Sequence, residues 1–229
     1  MEKATLREPR TAYELAAAVE LAKKTAHAKF DETVELHLRM GLDPRNATQQ
    51  VRGIALLPHG LGKTVRVLVF AQGEGEKLAK EAGADIVGND DVIKNIEGGW
   101  LDFDTAIATP DMMGKVGKLG KILGRRGLMP NPKSGTVVPA EDLGRVIEDA
   151  RKGRVEFKMD RTAIMHVSVG KASFESQKLM ENLLALIEAV VRAKPTGAKG
   201  QYIKSAYIAT TMGPSVMLDL KPAMATVAG

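Results

Sequence analysis

Two strand patterns occupy different parts of this chain, and their order dictates its architecture. Thr33–Met40 alternates without a break: Val34, Leu36, Leu38 and Met40 point one way, and Thr33, Glu35, His37 and Arg39 the other. Side chains on a strand alternate between its two faces, so this segment covers a core on one side and meets solvent on the other. Val65–Ala71 (Val-Arg-Val-Leu-Val-Phe-Ala) is instead a nearly continuous apolar run, as a strand covered on both faces requires. From Arg154 the alternation returns, in Val155, Phe157 and Met159 and again in Met165, Val167 and Val169. The ends of the chain share one style and the middle has another.

The middle reads as a unit of its own. Helices are predicted near Glu76–Ala82 and Asp90–Glu97, short strands at Asp85–Val87 and Thr105–Ala108, and a closing helix near Ala140–Lys152. Strands alternating with helices imply a small parallel sheet with right-handed crossovers. In the flanks, Thr11–Glu14 has the pattern of a capping box, followed by a stripe of Leu15, Val19 and Ala22. Gly53–Leu57 and Tyr202–Thr211 read as further strands, and Ser176–Ala193 as a long amphipathic helix with Leu179, Leu183, Leu186, Ile187 and Val190 on one face. Neither flank suffices for a sheet domain alone. The predicted fold is therefore α/β with two domains: a split α+β domain (1–62 and 153–229) with an open sheet face, and an inserted three-layer α/β domain (63–152). The crossings near Gly60–Lys63 and Lys152–Arg154 are expected to act as a hinge.

Gly124–Thr136 holds three glycines, two prolines and three cations. Glycines and prolines at this density argue against a helix or central strand, so a rigid extended loop is expected, with Pro130 and Pro132 stretching the backbone and Gly124, Gly127 and Gly135 turning it. It lies in a basic segment. No acid occurs between Asp111 and Glu141, whereas Lys115, Lys118, Lys121, Arg125, Arg126 and Lys133 all do. A one-sign cluster makes a local field that attracts phosphate, although a merely solvated basic face has the same composition. The net charge of +5 points the same way.

Several activities lack their residues. There is no cysteine, which removes disulfides, thiol catalysis and zinc-ribbon sites. Gly62-Lys63-Thr64 resembles the end of a phosphate-binding loop, but Leu57 stands where the leading glycine belongs and a strand follows instead of a helix. Gly73-Glu74-Gly75 lacks its third glycine, with Leu78 there, and Glu74 and Glu76 would repel phosphate. His27, His37, His59 and His166 show no metal-ligand spacing, and His37 reads as a solvated residue on the polar strand face. Asp102, Asp104 and Asp111 flank one strand without a nucleophile or base, and read as caps and turns. No catalysis, cofactor or metal is expected. The polar Met1–Arg10 does not read as a signal peptide, and no apolar run reaches membrane-spanning length.

Gly124–Thr136, Ala28–Glu35, Val51–Gly53, Leu57–Gly60, Ala108–Asp111 and Thr210–Gly213 together resemble, in order and spacing, blocks of the L-one family of large-subunit ribosomal proteins. The resemblance covers essentially the whole chain and is of the bacterial or plastid type. It implies a split domain that grips large-subunit ribosomal RNA at the mobile stalk near the exit site. Lys29 and Phe30 would approach the RNA at the start of the first strand. Thr33 and Glu35 would lie on that strand's polar face, and Thr211, Met212 and Gly213 on the loop after the last strand, with His166 and Lys171 beside them. Glu35 would accept from a base amino group or a 2′-hydroxyl and Thr211 could bond in either direction, while Gly213 would let the RNA backbone come close. For Phe30 and Met212 the residue types leave core packing open as the alternative.

The resemblance further implies a protein of the cytoplasmic ribosome (plastid stroma in an organelle), monomeric off it. It would assist release of transfer RNA from the exit site and repress translation of its own operon messenger RNA. Two departures stand out. Arg125 replaces the family's usual proline, adding charge and loosening the loop, and the N-terminus lacks the lysine-rich leader of many bacterial members.

Overall fold

A computed structural model describes residues 11–220; the polar Met1–Arg10 and the small-residue tail Ala223–Gly229 lie outside the described residues. In chain order the elements are β1 (Ala12–Tyr13), α1 (Leu15–Thr25), β2 (Thr33–Met40) and β3 (Arg52–Leu56). Next come β4 (Val67–Phe70), α2 (Glu74–Glu81), β5 (Ile86–Gly88), α3 (Asp90–Glu97), β6 (Thr105–Ala108), α4 (Met113–Val116), α5 (Gly120–Arg126) and α6 (Leu143–Lys152). The last are β7 (Arg154–Lys158), β8 (Ile164–Lys171), α7 (Ser176–Arg192), β9 (Ile203–Thr210) and β10 (Val216–Leu218). The described residues fall into two compact units, one of residues up to Gly62 with those from Gly153 onward, the other Lys63–Lys152.

In the first unit the sheet order is β1-β10-β9-β2-β8, with β3 and β7 forming a separate hairpin-like pair. The alternation of β2 places Val34, Leu36, Leu38 and Met40 in the core, together with Met165, Val167 and Val169 of β8 and Ala206 and Ile208 of β9. Against this face lies α7, whose Leu179, Leu183, Leu186, Ile187 and Val190 are fully buried; each such side chain contributes about 1.5–3 kcal/mol. Asn182 interrupts that apolar stripe for a reason. Its amide accepts from His59 N (3.0 Å) and donates to Gly60 O (3.0 Å) and Val169 O (2.8 Å), fixing the segment where the chain leaves this unit. Thr11–Glu14 is not a capping box. Ala12 and Tyr13 pair in parallel with β10, and Glu14 takes the cap position without a side-chain cap bond. The edge of β10 claims these residues, with Asp219 N donating to Tyr13 O at 2.8 Å.

The second unit has a wholly parallel sheet, β5-β4-β6. Its central strand is buried on both faces: Leu68 and Phe70 pack against α3 and α5, and Val67 and Val69 against α2 and α6. Asp102 and Asp104 are not caps; both pair with Arg66, and Asp104 also takes Lys63, whose hydrogen bond draws its carboxyl below the usual range.

The signature segment differs from the expected loop. Gly124, Arg125 and Arg126 are the last turn of α5, which Gly127 closes in the left-handed conformation (φ 71°), with Leu128 N donating to Leu123 O at 3.0 Å. Both prolines fall after this cap, so neither breaks the helix. Arg125, being helical, does not loosen the loop. Pro130 is buried, and Pro132 opens a 3₁₀ turn, Pro132–Ser134, instead of extending the chain. Asn131 N bonds Thr136 Oγ1 (2.8 Å), and Thr136 O accepts from Ala108 N (2.9 Å), hanging the loop on β6.

Candidate nucleic-acid interface

The start of β2 and the ends of β8 and β9 meet at one end of the five-stranded sheet. Antiparallel pairing brings them there: Thr33 is opposite Lys171, and Val34 opposite Thr210. The segments that follow or precede these strand ends are tied together. Ala172 N donates to Glu32 O (2.8 Å), and Ser173 donates through N and Oγ to the Asp31 carboxylate (3.0 and 2.7 Å). Lys171 Nζ donates to Thr33 Oγ1 (2.9 Å), and Thr33 N to Thr211 Oγ1 (3.0 Å). Residues far apart in sequence, Lys29, Phe30, Thr33, Glu35, Lys171, Thr211, Met212 and Gly213, thus belong to one edge.

Phe30 is 56% exposed and Met212 60%, which excludes core packing for both. Two large apolar side chains held in water on polar loops, flanked by Lys29, Thr211 and Glu35, make a surface suited to a flat partner with a charged backbone and stackable groups. Thr211 is exposed, and its hydroxyl already accepts from the Thr33 amide and donates to Thr33 O at 3.4 Å, leaving a lone pair for a partner. Gly213 is half-exposed, and a Cβ there would lie 2.2 Å from Thr210 Oγ1. Glycine here lets the turn close, with Gly213 N donating to Thr210 O at 3.1 Å.

Glu32 was not legible as a site residue. It is 1% exposed and its carboxylate accepts from His27 N (2.8 Å), Ala28 N (2.7 Å) and Met212 N (3.0 Å). Burial opposes the charge, but these backbone donors prevail and hold the carboxyl at about 2. One buried carboxylate therefore fastens the Lys29–Phe30 loop to the Thr211–Gly213 loop. In sequence the sole hint is an acid that breaks no pattern, because its partner amide lies 180 residues away.

His166 is not at that edge. It sits within β8, paired with His37 on the polar face, next to the row formed by Glu35, Ser168 and Ala209. The two imidazoles meet Nδ1 to Nδ1 at 2.9 Å, so His37 is not simply solvated.

The basic segment belongs to the other unit. Lys118, Lys121, Arg125 and Arg126 are exposed, and Lys115 is half-buried and bonded to Asp90 (2.7 Å); Lys133 lies in the 3₁₀ turn. Leu119 and Leu123 point inward between these cations. Among the described residues no group of three His, Cys, Asp or Glu side chains could hold a metal, and no helix is long and apolar enough to cross a membrane.

Residues 22–214 match the model of the ribosomal protein L1p/L10e family. The chain belongs to that family. It is 73% identical over 210 residues to a large ribosomal subunit protein uL1 of Dehalococcoides mccartyi, covering 92% of this chain and 89% of that one. The corresponding proteins of Chloroflexus aggregans and Thermomicrobium roseum are 60% identical over 209 residues and 58% over 204, covering 91% and 89% of this chain and 88% and 85% of theirs. The L1p/L10e family is one of structural ribosomal proteins, and the chain is not an enzyme. The family match runs through both units, from within α1 to the turn after β9, and takes in every residue of the edge described above.

Proposed function

We propose that this chain is a structural constituent of the large ribosomal subunit that binds large-subunit ribosomal RNA through its split unit. The observation that carries the reading is the edge itself: exposed Phe30 and Met212 on loops locked by Glu32, beside Lys29, Thr211 and the polar sheet face. The relatives' names support the ribosomal setting. In this reading residues 1–62 and 153–229 form the RNA-binding domain, and the inserted unit, 63–152, adds screened attraction through its basic segment. The protein resides on the ribosome, where it acts at the mobile stalk, assists departure of deacylated transfer RNA, and represses its own messenger RNA when that RNA mimics the ribosomal site.

Two results test this. A chain lacking the insertion, with residues 1–60 joined to 154–229, is expected to keep specific affinity for a stalk rRNA fragment with a shallower salt dependence, because fewer phosphates are neutralised. If the shortened chain folds but binds random RNA equally well, the split unit is not the reader. Thr211→Val preserves shape and removes the hydroxyl. It is expected to weaken binding to the fragment by about 1–3 kcal/mol, since an RNA group loses its partner at a desolvated contact. Water reaches the Thr33 amide at this exposed edge, so the thermal midpoint should move little. Unaltered affinity would remove Thr211 from the interface.

A further inference from the structure

We propose that His37 reads a hydrogen-bond donor of the RNA through its Nε2 atom, with His166 and Asp160 fixing the tautomer that leaves this nitrogen bare. The inference rests on the RNA-binding reading above and extends the interface along the sheet face.

The argument starts from one proton. The rings of His37 and His166 lie edge-on, with centroids 5.0 Å apart and an interplanar angle of 64°, and their Nδ1 atoms are 2.9 Å apart. Two ring nitrogens at that distance share a single proton between them. Which ring owns it is decided on the far side of His166, where Nε2 lies 3.9 Å from Asp160 Oδ2. Burial opposes the charge on Asp160, but the amides of Ile164 and Thr162 and the Thr162 hydroxyl hold it ionised. The negative carboxylate favours a proton on His166 Nε2. A neutral His166 protonated there has a bare Nδ1, so the shared proton sits on His37 Nδ1. His37 Nε2 is left as an acceptor, and no described group bonds it.

His37 stays neutral near pH 7: burial and the neighbouring His166 lower its affinity for a proton, and Glu35 only partly opposes them. The groups facing it are Glu35 and Arg39 on its own strand, His166 with Asp160 on the β8 side, and Tyr207 opposite it on β9. Glu35 and His37, two residues apart on one face, are separated by about 7 Å along the strand. Both are acceptors. A pair of acceptors repels phosphate and suits donors, which RNA supplies as 2′-hydroxyls or base amino groups.

The full chain would be titrated with a stalk rRNA fragment from about pH 7.5 to about pH 5.5. Protonating His37 turns its acceptor into a donor, so affinity is expected to fall several-fold as pH drops, by less than about tenfold because burial and His166 lower its proton affinity, with proton release on binding measured by calorimetry in two buffers. His37→Gln, which offers a carbonyl acceptor and does not titrate, should bind with little pH dependence. Affinity that rises or stays level toward acid overturns the proposal, a rise marking a phosphate contact. So does a wild-type pH profile in His37→Gln. Absence of specific binding at every pH instead overturns the RNA-binding reading itself. Fragments with single 2′-deoxy positions separate the sources: if one substitution abolishes the pH dependence the donor is a 2′-hydroxyl, and if none does it is a base amino group.

Discussion

Glu32→Ala is expected to destabilise the protein by about 3–5 kcal/mol and to weaken RNA binding at least about tenfold at temperatures where the variant remains folded. The carboxylate serves three backbone amides in a buried position, and stranding buried donors costs about 1–3 kcal/mol each before water and relaxation recover part of it. The affinity loss follows because the loops carrying Phe30 and Met212 lose their common anchor. Acid should act on the same group. Its carboxyl is held at about 2 against an ordinary 4.5, so the unfolded chain takes up the proton first. The linked stability, about 3 kcal/mol, is complete above about pH 4.5 and disappears as pH falls toward 2. Urea unfolding of the parent and of Glu32→Gln at pH 7, 4 and 3 provides the check: the parent should lose more stability on acidification than the variant. Equal slopes would mean that other carboxylates carry the acid response.

Gly153→Ala should be the second most damaging change, at about 2–4 kcal/mol. Gly153 has φ 110°, and a Cβ there would lie 2.4 Å from Gly60 Cα. The contact is backbone on backbone and cannot be relieved by turning a side chain, so strain of the unusual φ and overpacking act together. Gly127→Ala is the matched control. It also has positive φ, 71°, but nothing lies within 4 Å of its would-be Cβ, so only the backbone term of about 1–2 kcal/mol applies. Urea midpoints for the two variants separate close approach from conformational strain. Equal losses would show that the Gly60 contact yields.

The elements legible in the sequence were those whose information is local. The alternation in Thr33–Met40 and the stripe from Leu179 to Val190 each repeat with one period, and both lie where expected. β1 and β10, of two and three residues, are too short to carry a period; β10 is held along its length by β9, and β1 by β10. Gly124–Arg126 departs from the expected loop because composition averages over the whole segment, whereas the helix ends at Gly127, before either proline. At the candidate interface, the exposure of Phe30 and Met212 removes the core-packing alternative that their residue types leave open. Glu32 and the His37–His166 pair did not announce themselves, since their roles depend on strand register and on amides distant in sequence.

The proximity of Gly60 to Gly153 also bears on how the protein is made. Leu57 N donates to Gly153 O at 3.1 Å, so the outgoing and returning chain meet at one point. Pairing β2 with β8 must bridge a long excursion; His37 and His166 are 129 residues apart. Closing such a loop loses about 0.6 kcal/mol for each doubling of its free length, so collapse of Lys63–Lys152 into its own body beforehand shortens the excursion that remains. That unit is continuous in sequence and can fold as soon as it leaves the ribosome that makes it. The segment synthesised earliest, β2 with its apolar Val34, Leu36 and Leu38, has to wait for partners encoded after the insertion. If that edge binds RNA as proposed, a nascent chain has no complete site until Thr211–Gly213 emerge, and the order of synthesis itself delays capture of a target.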